Sequence, residues 1–171
     1  EDFDPAFIQM LRADQQILEA MCANWEMVDV EGADDSKFAK FNDILKHELF
    51  KKDRNPGQKL VIFSESKDTV EYLQRRLNRK DVLVVDSSNR TKLFKTIQEN
   101  FDANYKKSLR KDDYNIIITT DVLAEGVNLH RSNIIINYDT PWNSTKLMQR
   151  IGRVNRIGSE GKNIYNYVFY P

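Results

Sequence analysis

The sequence predicts an α/β domain with a mainly parallel sheet flanked by helices, preceded by a helical N-terminal segment. Three observations carry this expectation. Five short apolar runs rich in Ile and Val recur between residues 59 and 169. They are apolar at consecutive positions, as in strands covered by helices on both faces. Amphipathic segments separate them, and a βαβα order is the pattern of parallel pairing.

The elements follow in chain order. Residues 4–26 read as a helix: Asp4 can cap its start, and Pro5 suits the first helical position, where a missing N–H costs nothing. Phe7, Leu11, Leu18, Met21 and Trp25 fall on one face of it. Residues 29–36 read as a polar loop. A second helix covers about 36–50, with Phe38, Phe41, Leu45 and Leu49 as its apolar stripe. Asn55-Pro56-Gly57 breaks the chain within a turn over 51–58. Residues 1–58 are thus expected to be a helical lead-in, and 59–171 an α/β body. In the body the strands are placed at 59–63, 82–85, 115–119, 133–138 and 164–169. The helices between them are placed at 67–79, 91–103, 122–125 and 144–156. Residues 104–113 form a charged connection, read as solvated.

Charge divides along the same lines. The 171 residues carry 26 Lys+Arg and 26 Asp+Glu, a formal net charge of zero. Residues 1–35 hold ten of the acids and one base, net −9, and the remainder is net +9. A neutral total therefore does not exclude a phosphate-binding body. With 40% hydrophobic and 11% aromatic residues, the chain can build a core and is not a disordered tail. The single cysteine, Cys22, excludes an internal disulfide and a cysteine zinc site, and His47 and His130 lack metal-ligand spacing. No apolar run approaches the ~20 residues that span a bilayer. No secretory signal is visible, so the expected setting is reducing and cytoplasmic. A start at Glu1 and an end at Pro171 directly after an apolar run read as a fragment of something longer.

In open parallel sheets, ligands bind outside the carboxyl ends of the strands. Those positions hold Ser64-Glu65-Ser66, Asp86-Ser87-Ser88, Thr119-Thr120-Asp121 and Asp139 to Asn143. Ser66 is read as the cap of the helix that follows. The most informative segment is 144–158, STKLMQRIGRVNRIG. No acid occurs from Thr140 to Ser159, so Lys146, Arg150, Arg153 and Arg156 have no local partner. Arginines three apart fan over roughly 120° of a helix. Their planar forks match phosphate oxygens. Two readings stand at this point: a phosphate-binding array, or a basic face paired with carboxylates distant in sequence. Gly152, within this helix, costs roughly 1 kcal/mol relative to Ala, which points to a close neighbour at its backbone.

A resemblance adds to this. Residues 149–158, QRIGRVNRIG, resemble the sixth motif of superfamily 2 helicases, and 138–143, YDTPWN, resemble the segment before it in Swi/Snf-type ATPases. Residues 119–129, TTDVLAEGVNL, resemble motif five, and 59–64, KLVIFS, resemble motif four. Together they cover about 57–170 in the family's order. The resemblance implies the second RecA-like lobe of an ATP-dependent helicase or DNA translocase, on the Swi/Snf-like branch.

Carried over residue by residue, the resemblance implies that Arg153 and Arg156 are arginine fingers to the γ-phosphate of ATP. Gln149 and Arg150 would support the cleft. Gly126 would admit the nucleotide, and Asn128 would stand where related helicases often use Asp on the ribose. Ser64, Lys67, Arg90, Thr119 and Thr120 would contact nucleic-acid phosphates, expected to be DNA. Trp142 is read as packing, and Glu125 receives no role. The chain lacks a GxxxxGK[ST] loop and an acidic magnesium motif. Most contacts to ATP, and all to Mg2+, are therefore assigned to a missing first lobe of the same polypeptide. The lobe itself holds no metal and should be inactive alone. The alternative is a degenerate lobe that binds nucleic acid or protein without hydrolysis. A self-contained small-molecule enzyme is disfavoured, because no complete set of nucleophile, base and cofactor loop can be assembled.

Overall fold

Each of the five apolar runs becomes one strand of a single parallel sheet. The structure is a computed structural model, and it describes residues 4–31 and 35–170. The strands are β1 (Leu60–Phe63), β2 (Val82–Val85), β3 (Ile116–Thr119), β4 (Ile134–Asn137) and β5 (Tyr165–Val168). Their order across the sheet is β2-β3-β1-β4-β5, and every neighbouring pair is parallel. The three inner strands are buried at all four positions, whereas β2 alternates and β5 is half-exposed. That gradient is the sequence pattern made visible: Leu60-Val61-Ile62-Phe63, Ile116-Ile117-Ile118 and Ile134-Ile135-Ile136 have no polar face to offer solvent.

The chain divides into two compact units, Glu1–Lys40 and Phe41–Pro171. In the first, α1 (Pro5–Glu31) starts as its residues dictate, with the Ala6 amide donating to Asp4 Oδ1 at 2.9 Å. It runs beyond the expected end at 26, so Asp29 to Glu31 are helical rather than loop, and residues 32–34 of that loop lie outside the described residues. The helix α2 (Ser36–His47) is capped by Asp35, whose Oδ1 accepts from the Phe38 amide at 2.8 Å.

In the second unit Phe41, Leu45 and Leu49 are buried. Phe41 lies edge-on to Tyr138 and Phe169, with ring centres 5.5 and 5.8 Å apart. The sheet is then covered by α3 (Lys67–Leu77), α4 (Arg90–Phe101) and α5 (Ser144–Val154). As expected, Ser66 caps α3, accepting from the Asp68 amide. Asn143 caps α5, accepting from the Lys146 amide at 2.9 Å. The expected helix at 122–125 is a single 3-10 turn, Asp121–Leu123. One core cluster joins Val61, Phe63, Val85, Ile97, Phe101, Ile117, Leu129, Ile135 and Val154.

The charged connection at 104–113 differs from a freely solvated stretch. Arg110 donates to the Tyr105 carbonyl and pairs with Glu160, and Lys111 pairs with Glu99 at 2.9 Å. Asp112 reaches the fully buried Lys59 at 2.9 Å and Arg131 at 2.7 Å. Burial acts to raise the Asp112 carboxyl, but the hydrogen bond from Lys59 and the two cationic charges outweigh it and hold it below its ordinary range. This network ties the amino-terminal ends of β1 and β4 together, away from the strand ends where a ligand would sit.

Candidate functional site

At the carboxyl ends of β1, β3 and β4, the chain crosses from one half of the sheet to the other. Two adjacent cavities meet at the Glu125-Gly126 segment, the second at this end of the sheet and the first between α4 and the C-terminal end of α5. The first, of about 280 Å3, is lined by Phe94, Gln98, Asp102, Gly126, Val127, Asn128, Arg153 and Arg156. It brings together Gly126, Asn128, Arg153 and Arg156 of the expected cleft residues, but not Gln149 or Arg150. The second, of about 290 Å3, is lined by Arg90, Asp121, Val122, Ala124, Glu125, Lys146 and Gln149. The Glu125-Gly126 segment borders both.

Gly126 suits the left-handed backbone here, and a side chain would also displace the flexible tip of Arg90. Its φ is +72°, and a Cβ would stand 2.5 Å from Arg90 Nη2. Arg90 lies there because its guanidinium donates to the Glu125 carbonyl at 2.8 Å. The positive φ at Gly126 sets the bend, and Arg90 rests against its outer side.

The four cations of the α5 segment separate into two pairs. Arg150 is fully buried. Its Nε donates to Asp121 Oδ1 at 2.8 Å, its Nη1 to Asn137 Oδ1 at 2.9 Å, and its Nη2 to Glu65. Its guanidinium also stacks 5.1 Å above the Phe63 ring centre. Lys146 joins the same carboxylates, 2.9 Å from Glu65 and 2.7 Å from Asp121. Burial acts to raise the Asp121 carboxyl, but hydrogen bonds from Lys146 and Arg150 prevail and lower it. For these two cations, the reading of pairing with distant carboxylates is the one realised.

Arg153 and Arg156 behave otherwise. Neither forms an ion pair with a carboxylate among the described residues. Arg153 Nε has only a long contact, 3.5 Å, to the Gln149 carbonyl. Arg156 Nε donates to the Gly152 carbonyl at 3.1 Å, and its Nη1 donates to Asn128 Oδ1. Burial, then the charge of Arg156, lowers the Arg153 pKa from its ordinary value. An arginine remains cationic under such a shift. Two guanidiniums without a direct carboxylate partner therefore line one cavity, which Asp102 also lines, and their forks match an anion with several oxygens.

The residues expected on nucleic acid are placed unequally. Lys67 is exposed, 3.6 Å from both Glu71 and Asp86. Thr120 and Arg90 are half-buried at the same end of the sheet. Ser64 and Thr119 are fully buried: the Ser64 hydroxyl donates to Asp139 Oδ2, and the Thr119 hydroxyl to the Thr120 carbonyl at 3.0 Å. Gln149 is exposed on the rim of the second cavity.

Two expectations need correction. Trp142 is not packed: it is 82% exposed, because the turn between β4 and α5 carries it away from the core. Nothing lies within 4 Å of where a Cβ on Gly152 would stand, so no close neighbour among the described residues explains that glycine. Glu65, Asp121 and Asn137, which hold Arg150, received no role from sequence. Their partners stand 85, 29 and 13 positions away, and no local spacing announces such pairs.

The family model for the helicase conserved C-terminal domain matches residues 36–158. The chain belongs to this family.

The helicase C-terminal domain is 37% identical over 109 residues to an uncharacterized ATP-dependent helicase, YqhH, of Bacillus subtilis strain 168. That match covers 63% of this chain and 18% of the relative. It is 32% identical over 101 residues to the ATP-dependent RNA helicase eIF4A of Kluyveromyces lactis, covering 59% of the chain and 24% of the relative. The chain thus spans a quarter or less of these helicases. The crystal structure of the C-terminal part of the Fun30 ATPase domain superposes with a TM-score of 0.61 at 20% identity. It covers 89% of this chain and 48% of that one, and it shows that the fold is shared. No helix among the described residues is long and apolar enough to cross a membrane.

Proposed function

We propose that this domain is the second motor lobe of an ATP-dependent helicase or translocase, with Arg153 and Arg156 as the arginine fingers for ATP held mainly by a first lobe. One observation carries the reading: two guanidiniums without a carboxylate partner line one cavity with the bent Gly126 segment. A polyphosphate fits this donor set. When bound, ATP would supply the anhydride whose γ-phosphoryl group is transferred. The chain's own part is to place positive charge where negative charge grows in the transition state. Magnesium does not fit here. No group of three or more His, Cys, Asp or Glu among the described residues is placed to hold a metal ion. Its ligands, and hydrolytic competence, are assigned to the first lobe, so this chain alone turns over no ATP.

The nucleic acid, taken as DNA, is assigned to the strand ends through Lys67, Arg90 and Thr120. Ser64 and Thr119 shape that surface from beneath. Such contacts to backbone phosphate position the protein without reading sequence. The resemblance of Tyr138 to Asn143 favours the Swi/Snf-like branch, and residues 1–58 are assigned as the connector to the first lobe.

The test uses the full-length protein. Arg156→Ala and Arg153→Ala should each lower nucleic-acid-stimulated ATP turnover by on the order of 10³–10⁵. Circular dichroism and urea midpoints should match the parent. Unchanged turnover overturns the assignment and leaves a binding module.

A further inference from the structure

Asn128 stands where the resemblance places a ribose contact, yet both ends of its amide are already engaged. Its Nδ2 donates to Asp102 Oδ2 at 3.1 Å, and its Oδ1 accepts from Arg156 Nη1. Asp102 is buried at the C-terminus of α4 and is itself fixed, its Oδ1 accepting from the Asn104 amide at 2.8 Å. An ionised carboxylate only accepts. Facing Asp102, the Asn128 amide must therefore present its nitrogen, and its oxygen is left pointing at the guanidinium.

We propose that Asn128, seated on Asp102, is a positioning residue that aims Arg156, and that it is not a ribose ligand. This rests on the reading of Arg156 as a finger and adds how the finger is held. The choice of an amide has an electrostatic reason. A direct Asp102–Arg156 pair would hold the guanidinium equally well but neutralise it. Asn128 converts the buried acceptor into a neutral acceptor for the finger, so the side chain is anchored and its charge stays available. Arg156 is held at Nη1 by Asn128 and at Nε by the Gly152 carbonyl, while its Nη2 amine has no partner among the described residues. The finger is thus clamped on one flank and open on the other.

Two substitutions in the full-length ATPase separate this role from a ribose contact. Asn128→Asp is isosteric, and a carboxylate could still accept from a ribose hydroxyl. In the relay it would oppose Asp102 and pair with Arg156. The expected result is a fall in kcat on the order of 10–100-fold, the scale of a catalytic group misplaced by about 1 Å. KM for ATP should change by less than about threefold, since uniform substrate binding is untouched. Retained kcat, or a raised KM that disappears with 2′,3′-dideoxy-ATP, overturns the proposal in favour of the ribose. The second arm is a double-mutant cycle. Asn128→Ala should cost turnover in the parent and nothing further in Arg156→Ala, because it acts through that side chain. Equal losses in both backgrounds overturn the relay while leaving the finger assignment intact. If Arg156→Ala alone has no effect, the finger reading falls and the relay falls with it. Urea midpoints of each variant confirm that the comparison is between folded proteins.

Discussion

Arg150 and Arg156 stand six positions apart and use the same side chain for opposite ends. Arg150 is spent on structure: fully buried, it answers two carboxylates that it shares with Lys146, and the Asn137 amide oxygen. Removing it leaves Glu65 and Asp121 facing each other. Breaking a buried ion pair costs about 3–5 kcal/mol. Here Lys146 remains, and the carboxylates are each 30% exposed. Arg150→Ala should therefore destabilise by about 2–3 kcal/mol, reduced by that solvent screening. Arg156→Ala should stay within about 0.5 kcal/mol of the parent, as surface substitutions do. Urea unfolding followed by far-ultraviolet circular dichroism compares the two, and equal losses would contradict the division into a structural and a functional arginine. His130 adds a pH signature. It is fully buried with neither ring nitrogen hydrogen-bonded, and burial lowers its pKa, with Asp102 acting to raise it and Arg156 and Arg110 to lower it. The unfolded chain thus binds the proton more readily than the folded one. Stability is complete above the ordinary histidine value of about 6.5 and falls as pH drops below it. The urea midpoint should decline from pH 7 to pH 5, and His130→Leu should flatten that decline.

Gly152 shows what an element tolerates. It sits inside α5 with open space where its Cβ would be, so the helix carries the cost of a glycine without a packing reason. Gly152→Ala should raise stability by roughly 0.5–1 kcal/mol, seen as a higher urea midpoint. A loss would mean that a partner outside this chain is not needed to explain the residue. At this scale most of the fold was legible. The five strands are located within a residue or two, because inner strands of a parallel sheet must be apolar on both faces. The caps of α1 and α3 follow from Asp4 and Ser66, whereas the Asn143 cap of α5 emerges only with the structure. What sequence did not reveal is pairing. The order β2-β3-β1-β4-β5 joins β1 to β3 and β4, more than fifty residues away, and no local pattern encodes that. The site divides in the same way. Arg153, Arg156, Gly126 and Asn128 share one cavity, whereas Gln149 and Arg150, expected at the same cleft, do not line it. The Arg150 cage and the Asp102 anchor depend on non-local contacts and stayed hidden. Trp142 went astray for a related reason, since hydrophobicity alone does not say which way a loop faces.

The charge division belongs to the whole molecule. The net zero joins a −9 segment, residues 1–35, to a +9 remainder. If the acidic segment competed with phosphate for the basic body, nucleic-acid affinity would be restrained in the intact chain. If it is a connector, affinity would be indifferent to it. Screening makes the two separable, because charges farther apart than about 8 Å at physiological salt scarcely interact, whereas an arm lying in the phosphate site would be in direct contact. The clean deletion removes residues 1–34 and keeps Asp35, whose carboxylate caps α2. Under the connector reading, affinity for duplex DNA at 150 mM salt should stay within about twofold. The slope of log K against log salt, about −0.9 per phosphate neutralised, should also be unchanged. Lys67→Ala and Arg90→Ala should each reduce that slope by about 1, in the full and the shortened chain alike. A tenfold gain on deletion, fading as salt rises, would instead identify the acidic segment as an occupant of the site, and the opposing charges would then be a regulatory pair rather than a coincidence of sum.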